Sequence, residues 1–164
     1  VESSESAKAG AGWDVVDSRL QTIYSNNIRN NFGFLNRADE EGIGQIDKLF
    51  MQEGRKVFKE VCPAVATQIN EQLASLNLDV EDLRRIWLHQ ANQNMNDLIA
   101  KKVFGRDPAP SESPTILDEY ANTSSAGSII AFHKHNADIN SGELGVLCSF
   151  GAGYSIGSLI LRRR

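Results

Sequence analysis

From Glu53 to the carboxy terminus, stretches with a helical apolar period alternate with short, continuously apolar runs, and that alternation confines the chain to a layered α/β fold. The helical pattern is clearest where Val57, Val61, Val65, Ile69 and Leu73 recur every fourth residue, flanked by Phe58 and Leu76. Such spacing lines one face of a long amphipathic helix. Pro63 lies inside it, and the amide donor it removes predicts a kink or a division into two pieces. Asp79 reads as the N-cap of a short helical turn over residues 80–85. Ile86, Trp87 and Leu88 are too few for a helix and predict a buried strand. Met95, Leu98, Ile99, Lys102 and Val103 then resume helical spacing; Gly105 ends that helix, and Pro108 and Pro110 forbid its continuation. Residues 115–117 predict a further strand. The small hydroxylated residues 122–125 suit a helix start, with 128–135 as the helix body. Residues 144–150 are strongly apolar, Gly151-Ala152-Gly153 is a tight turn, and 154–161 predict the returning strand of a hairpin.

Upstream of Glu53 the pattern is weaker. Residues 13–16 and 19–24 predict two strands, the Asn-rich stretch 25–37 an irregular or helical connection, and the first twelve residues no element. The sequence opens on Val1 without an initiator Met, so the chain is expected to be part of a longer polypeptide or one product of a cut.

Of the 164 residues 41% are hydrophobic, enough for one compact core. A net charge of −4 gives no electrostatic reason to expect a nucleic-acid or anionic-membrane partner. No apolar run approaches the roughly 18 residues a membrane span needs. The small, polar amino end does not form a secretory signal. Cys62 and Cys148 both sit in apolar stretches and read as buried thiols of a cytoplasmic protein rather than as a disulfide.

Three segments carry candidate chemistry: His89-Gln90-Ala91-Asn92, Asn122-Thr123-Ser124-Ser125-Ala126 and Ser149-Phe150-Gly151-Ala152-Gly153-Tyr154. His89 and Asn122 both fall where a predicted strand gives way to a helix, the place where α/β sheets gather functional groups. Singly, each segment has a plain structural explanation: a histidine satisfied at a strand end, a helix cap, a glycine turn. Together, in this order and spacing, they resemble the second half of the 3-oxoacyl-[acyl-carrier-protein] synthase III family, of the thiolase superfamily. That half has a His-Gln-Ala-Asn motif, then Asn-Thr-Ser, then Phe-Gly-x-Gly in its last hairpin. The resemblance covers residues 44–164, expected to be the domain that carries His and Asn. Residues 1–43 would be the end of the first half and a tunnel-wall segment.

The resemblance implies a layered αβαβα fold of which this chain is the carboxy-terminal half. It also implies a decarboxylative Claisen condensation in fatty acid biosynthesis. An acyl-CoA or acyl-carrier-protein thioester would join malonyl-carrier protein, giving a 3-oxoacyl product and carbon dioxide. Such a reaction builds negative charge on a thioester oxygen, and each preorganised donor to it is worth about 3 kcal/mol. By resemblance, His89 and Asn122 are that catalytic pair, and the Ala152 amide is the oxyanion donor for the acyl-enzyme. Phe150, Gly151, Gly153 and Asn92 would contact substrate, Asn92 at the pantetheine arm. Neither Cys62 nor Cys148 stands at the family's nucleophile position, so the covalent step implies an amino-terminal half bearing that cysteine. Lys101 and Lys102 match a basic patch that docks acyl carrier protein, although Asn94 replaces a basic family residue. The resemblance further implies a homodimer and no metal or redox cofactor, the phosphopantetheine arriving with the CoA and carrier-protein substrates.

His133-Lys134-His135 is a poor metal site, because alternate helical residues diverge. Arg162, Arg163 and Arg164 read as a solvated tail. The departure of residues 25–37 from the family pattern suggests an altered acyl-chain preference. Two other functions use the same motifs: a sister enzyme of head-to-head or specialised condensation, and a non-catalytic subunit of a heteromeric synthase. A scaffold would have no use for both His89 and Asn122. A thiolase proper would need a second catalytic cysteine near the carboxy terminus; Cys148 is close, but its neighbours fit the synthase pattern.

Overall fold

A computed structural model describes residues 12–30 and 50–164. The first eleven residues, the boundary expected at 43/44 and most of the Asn-rich stretch lie outside them. The described chain forms strands β1 (Trp13–Thr22), β2 (Ile28–Asn30) and β3 (Phe50–Gln52) and helix α1 (Gly54–Ser75). A 3-10 turn (Val80–Asp82) leads into strand β4 (Leu83–Leu88), followed by helices α2 (Gln93–Phe104), α3 (Leu117–Tyr120) and α4 (Ala126–Lys134). Strands β5 (Leu144–Gly151) and β6 (Ser155–Arg163) close the chain.

The main sheet has the order β1-β6-β5-β4, with β4 and β5 parallel and the other pairs antiparallel. Strand alternation sorts its side chains. Val146, Cys148, Phe150, Ile156 and Ile160 face a core shared with α1 and α2. Trp87 and Leu147 face α4, where Ala131 and Ile139 close a second, smaller core. Trp87 packs edge-on against Trp13 and Phe132, with ring centroids 5.6 and 4.9 Å away. Its ring lies over Gly145, where a Cβ would come within 2.4 Å of it. Helices on both faces of a mostly buried sheet are the layering that the alternation predicts.

Several local expectations are corrected. Pro63 does not divide the helix, and α1 runs through it. An interior proline costs roughly 3 kcal/mol. Val57, Val61, Val65, Ile69 and Leu73, each at most 5% exposed, contribute roughly 2 kcal/mol apiece on burial and outweigh it. Asp79 caps the turn reciprocally with Asp82, but the turn ends there; Leu83, Arg84 and Arg85 belong to β4. Arg85, 3% exposed, makes a bidentate pair with Asp138 at 2.7 and 2.8 Å and donates to the His135 carbonyl, which fixes it in extended chain. Residues 13–16 and 19–24 are not two strands: β1 is continuous, with a bulge between Val15 and Asp17.

Thr115 and Ile116 form no strand, because the Ile116 amide is taken by the Gln90 side chain at 3.1 Å and a helical turn follows. Ser125 does not cap α4 with its hydroxyl; instead Ser128 Oγ donates back to the Ser125 carbonyl at 3.2 Å. The carboxy-terminal arginines are not a loose tail. Arg162 and Arg163 lie in β6, the Arg163 guanidinium stands 5.6 Å from the Trp13 ring, and Arg164 pairs with Asp14 at 2.7 Å. Both cysteines are free and buried. Among the described residues, no helix is long and apolar enough to cross a membrane.

Candidate active site

β4 delivers His89 from its carboxyl end, and the ladder continues one bond further: the His89 amide donates to the Cys148 carbonyl at 2.7 Å. The imidazole is 8% exposed and meets the Phe150 ring edge-on at 4.9 Å between centroids. Its Nδ1 is buried without a hydrogen-bond partner among the described residues. Burial pushes the His89 pKa below its usual 6.5, while a backbone hydrogen bond with Ser124 pulls the other way. The ring is therefore neutral at pH 7, with one nitrogen able to donate and the other to accept.

Asn122 approaches on the loop before α4. Its Oδ1 accepts from the Ser124 amide at 2.9 Å, an Asx turn that leaves the Nδ2 end of the carboxamide to donate. Ala121 and Ser124 on either side have positive φ values of 53° and 58°. Ser124 thus joins the two candidates, bonding Asn122 through its amide and standing against the His89 ring. Among the described residues, Thr123 Oγ1, like His89 Nδ1, is buried with no hydrogen-bond partner.

Gln90 fixes this convergence, a role the sequence reading did not assign. Its Nε2 donates to the Leu88 carbonyl at 2.9 Å, while its Oε1 accepts from Thr115 Oγ1 and the Ile116 amide. Gly127 lets α4 approach, since a Cβ there would stand 2.9 Å from Gln90 Cβ. Ser128 and Ser149, their hydroxyls 2.7 Å apart, tie the first turn of α4 to β5. Nothing but the residue types at 90 and 127 could have signalled this, and glutamine is rarely wholly buried without such a duty.

The third segment is the β5–β6 turn. Ala152 is exposed, Gly151 and Gly153 are half-buried, and Gly153 holds φ at 140°, open only to glycine. The Gly153–Tyr154 peptide is cis. Asn92 is exposed and N-caps α2, its Oδ1 accepting from the Met95 amide at 3.0 Å. Lys101 and Lys102 are exposed on α2, Lys101 paired with Asp107 at 2.8 Å. Burial pushes the Cys62 thiol up to about 11 and the Cys148 thiol to about 12, which makes both poor nucleophiles. Among the described residues, no group of three or more His, Cys, Asp or Glu could hold a metal ion. A cavity of about 880 Å³ lies between α2, the loop after it and the end of α4, and includes neither His89 nor Asn122. A smaller one, about 350 Å³, opens beside Ser125, Ile129, Leu147, Ser149 and Leu159.

Residues 73–163 match the family described as 3-oxoacyl-[acyl-carrier-protein (ACP)] synthase III C terminal. The chain belongs to this synthase III family, as its carboxy-terminal half. A beta-ketodecanoyl-[acyl-carrier-protein] synthase of Pseudomonas aeruginosa is 63% identical over 163 residues, covering 99% of this chain and 47% of that protein. A beta-ketoacyl-[acyl-carrier-protein] synthase III of Allorhizobium ampelinum is 36% identical over 113 residues, covering 67% of this chain and 34% of that protein. The synthase III half thus spans about half or less of these relatives. Among solved structures, the 3-oxoacyl-[acyl-carrier-protein] synthase III of Aquifex aeolicus superposes with a TM-score of 0.73 at 21% identity. That superposition covers 94% of this chain and 46% of the other, and establishes the thiolase-like layered fold.

Proposed function

We propose that this chain supplies the decarboxylation half-site of a condensing acyltransferase, whose nucleophilic cysteine comes from the amino-terminal half that the relatives' extra length contains. The observation that carries the reading is the junction at Ser124, which brings a neutral, partly desolvated imidazole and a carboxamide from two separate loops to one place. Two donors there would share the charge that develops on the malonyl thioester oxygen as carbon dioxide leaves, each worth about 3 kcal/mol. The donors carry this charge without a metal or redox cofactor. Phe150, edge-on to His89, would keep water from the enolate. The new carbanion then attacks the acyl-cysteine thioester; the Ala152 amide would receive the tetrahedral oxyanion, and its collapse breaks the C–S bond and releases the cysteine thiolate. Burial of Cys62 and Cys148 supports assigning the sulfur to the other half.

The name of the 63% identical relative supports a medium-chain primer. A ten-carbon 3-oxoacyl product minus the two carbons that malonyl contributes leaves an eight-carbon acyl thioester. Malonyl-carrier protein is the second substrate, Lys101 and Lys102 its docking residues, and a homodimer of the complete unit the working assembly. The test is His89→Ala and Asn122→Ala in the complete enzyme, with acylation and malonyl decarboxylation measured separately and eight-carbon and acetyl primers compared. Decarboxylation should fall by a factor of about 10² or more in each variant, while acylation by the eight-carbon primer persists. Equal loss of both half-reactions would remove the assigned roles, and equal use of acetyl would remove the chain-length reading.

A further inference from the structure

Tyr154 follows directly on the turn that carries Ala152, and it is 2% exposed. Its hydroxyl donates to Glu60 Oε2 at 2.7 Å. Asn27 Nδ2 donates to the same carboxylate oxygen at 2.9 Å and to the Tyr154 hydroxyl at 3.1 Å. The loop that holds Asn27 also grips the turn by its main chain: the Ser25 amide donates to the Gly153 carbonyl at 2.6 Å, and the Ile23 amide to the Tyr154 carbonyl at 2.7 Å. The Asn27 carbonyl in turn accepts from the Glu53 amide at 2.7 Å, which fastens the loop to the start of α1. Two elements remote in sequence, the 23–27 loop and α1, therefore meet on the two residues that follow Ala152.

Resting on the acyltransferase reading above, we propose that the Asn27–Glu60–Tyr154 junction is a positioning device that aims the Ala152 amide at the acyl-enzyme oxyanion. A phenyl ring would fill the Tyr154 space and give the same apolar burial. The hydroxyl adds a bond to a charged acceptor, and such bonds are directional and worth more than neutral ones. Direction is what an oxyanion donor needs, since displacement by about 1 Å can cost on the order of 10² in rate. Stability and aim are thus carried by different atoms of one side chain.

Tyr154→Phe and Asn27→Ala, singly and combined, separate the two in the complete enzyme. Acylation by a labelled eight-carbon acyl-CoA is followed alongside the KM for that thioester, the thermal midpoint and hydrogen exchange at the Ala152 amide. Each single variant should acylate about tenfold more slowly at saturation with KM unchanged, and exchange at Ala152 should quicken. The double variant should be no slower than the slower single, because one junction is lost only once. Wild-type acylation rates in both single variants, or multiplicative losses in the double, would overturn the junction while leaving the acyltransferase reading intact. A wild-type enzyme that never becomes acylated would overturn both.

Discussion

His89 is a group whose protonation the fold opposes: desolvation lowers its pKa from 6.5, and Ser124 only partly offsets this. An unfolded chain therefore binds the proton at higher pH than the native one. The His89 contribution to native stability is present above the unfolded pKa of about 6.5 and is lost as pH falls from there through the lowered native pKa. Ring-proton NMR should place the His89 titration below 6.5, and His89→Asn should lose that part of the acid slope in a pH series of urea melts. A His89 midpoint above 6.5 would contradict the buried, neutral ring. His89 and Asn122 stand out in the sequence as candidates because their motif neighbours mark them. The residues that make them converge do not. Gln90, Ser124 and Gly127 act through a carbonyl, a backbone amide and a missing Cβ, and none of those has a signature of its own in one sequence.

At the scale of elements, the strand-and-helix order was legible wherever periodicity was strong, as in α1, α2, β5 and β6. It failed where a tertiary contact outweighed the local pattern. Buried apolar residues carry α1 through Pro63, and the Gln90 side chain takes the amide that a strand at Ile116 would have used. Asn92 caps α2 by its observed geometry, and the resemblance would add a pantetheine contact to the same residue. Its Oδ1 bond to the Met95 amide predicts that Asn92→Ala loses about 1 kcal/mol of stability. Asn92→Asp keeps the acceptor and places negative charge at the start of α2, so it should melt like wild type or slightly higher. Chemical denaturation of the three proteins decides this. If Asn92→Ala is as stable as wild type, the cap carries no weight and the substrate role alone remains.

At the scale of the molecule, the described residues cover the two faces of the sheet unequally. The face toward α1 and α2 is closed along β4, β5 and β6. On the opposite face α4 covers β4 and part of β5, and beyond it the surface stays apolar. Ile129 is 53% exposed, Val15 55% and Leu20 81%. Leu20 pairs across from Gly157, and a Cβ at Gly157 would touch Leu20 Cδ1 at 3.8 Å, so this leucine belongs to the open face beside the 350 Å³ cavity. Burying each such side chain would contribute roughly 1.5–3 kcal/mol, which is ample reason for a second layer to sit there. On the proposed function, its occupant would be the amino-terminal half of the synthase, since the cavity borders the loop that carries Asn122 and the relatives are about twice as long. Expressed alone, the chain should bind an apolar dye and self-associate. Mixed with a polypeptide comprising the amino-terminal half, it should form a one-to-one complex that no longer binds the dye. Leu20→Asp should abolish that complex, while Asn70→Asp, at an exposed position on α1 across the sheet, should not. Sedimentation with dye fluorescence reads both variants. Assembly of Leu20→Asp at wild-type affinity would place the second half elsewhere and leave the open face without this explanation.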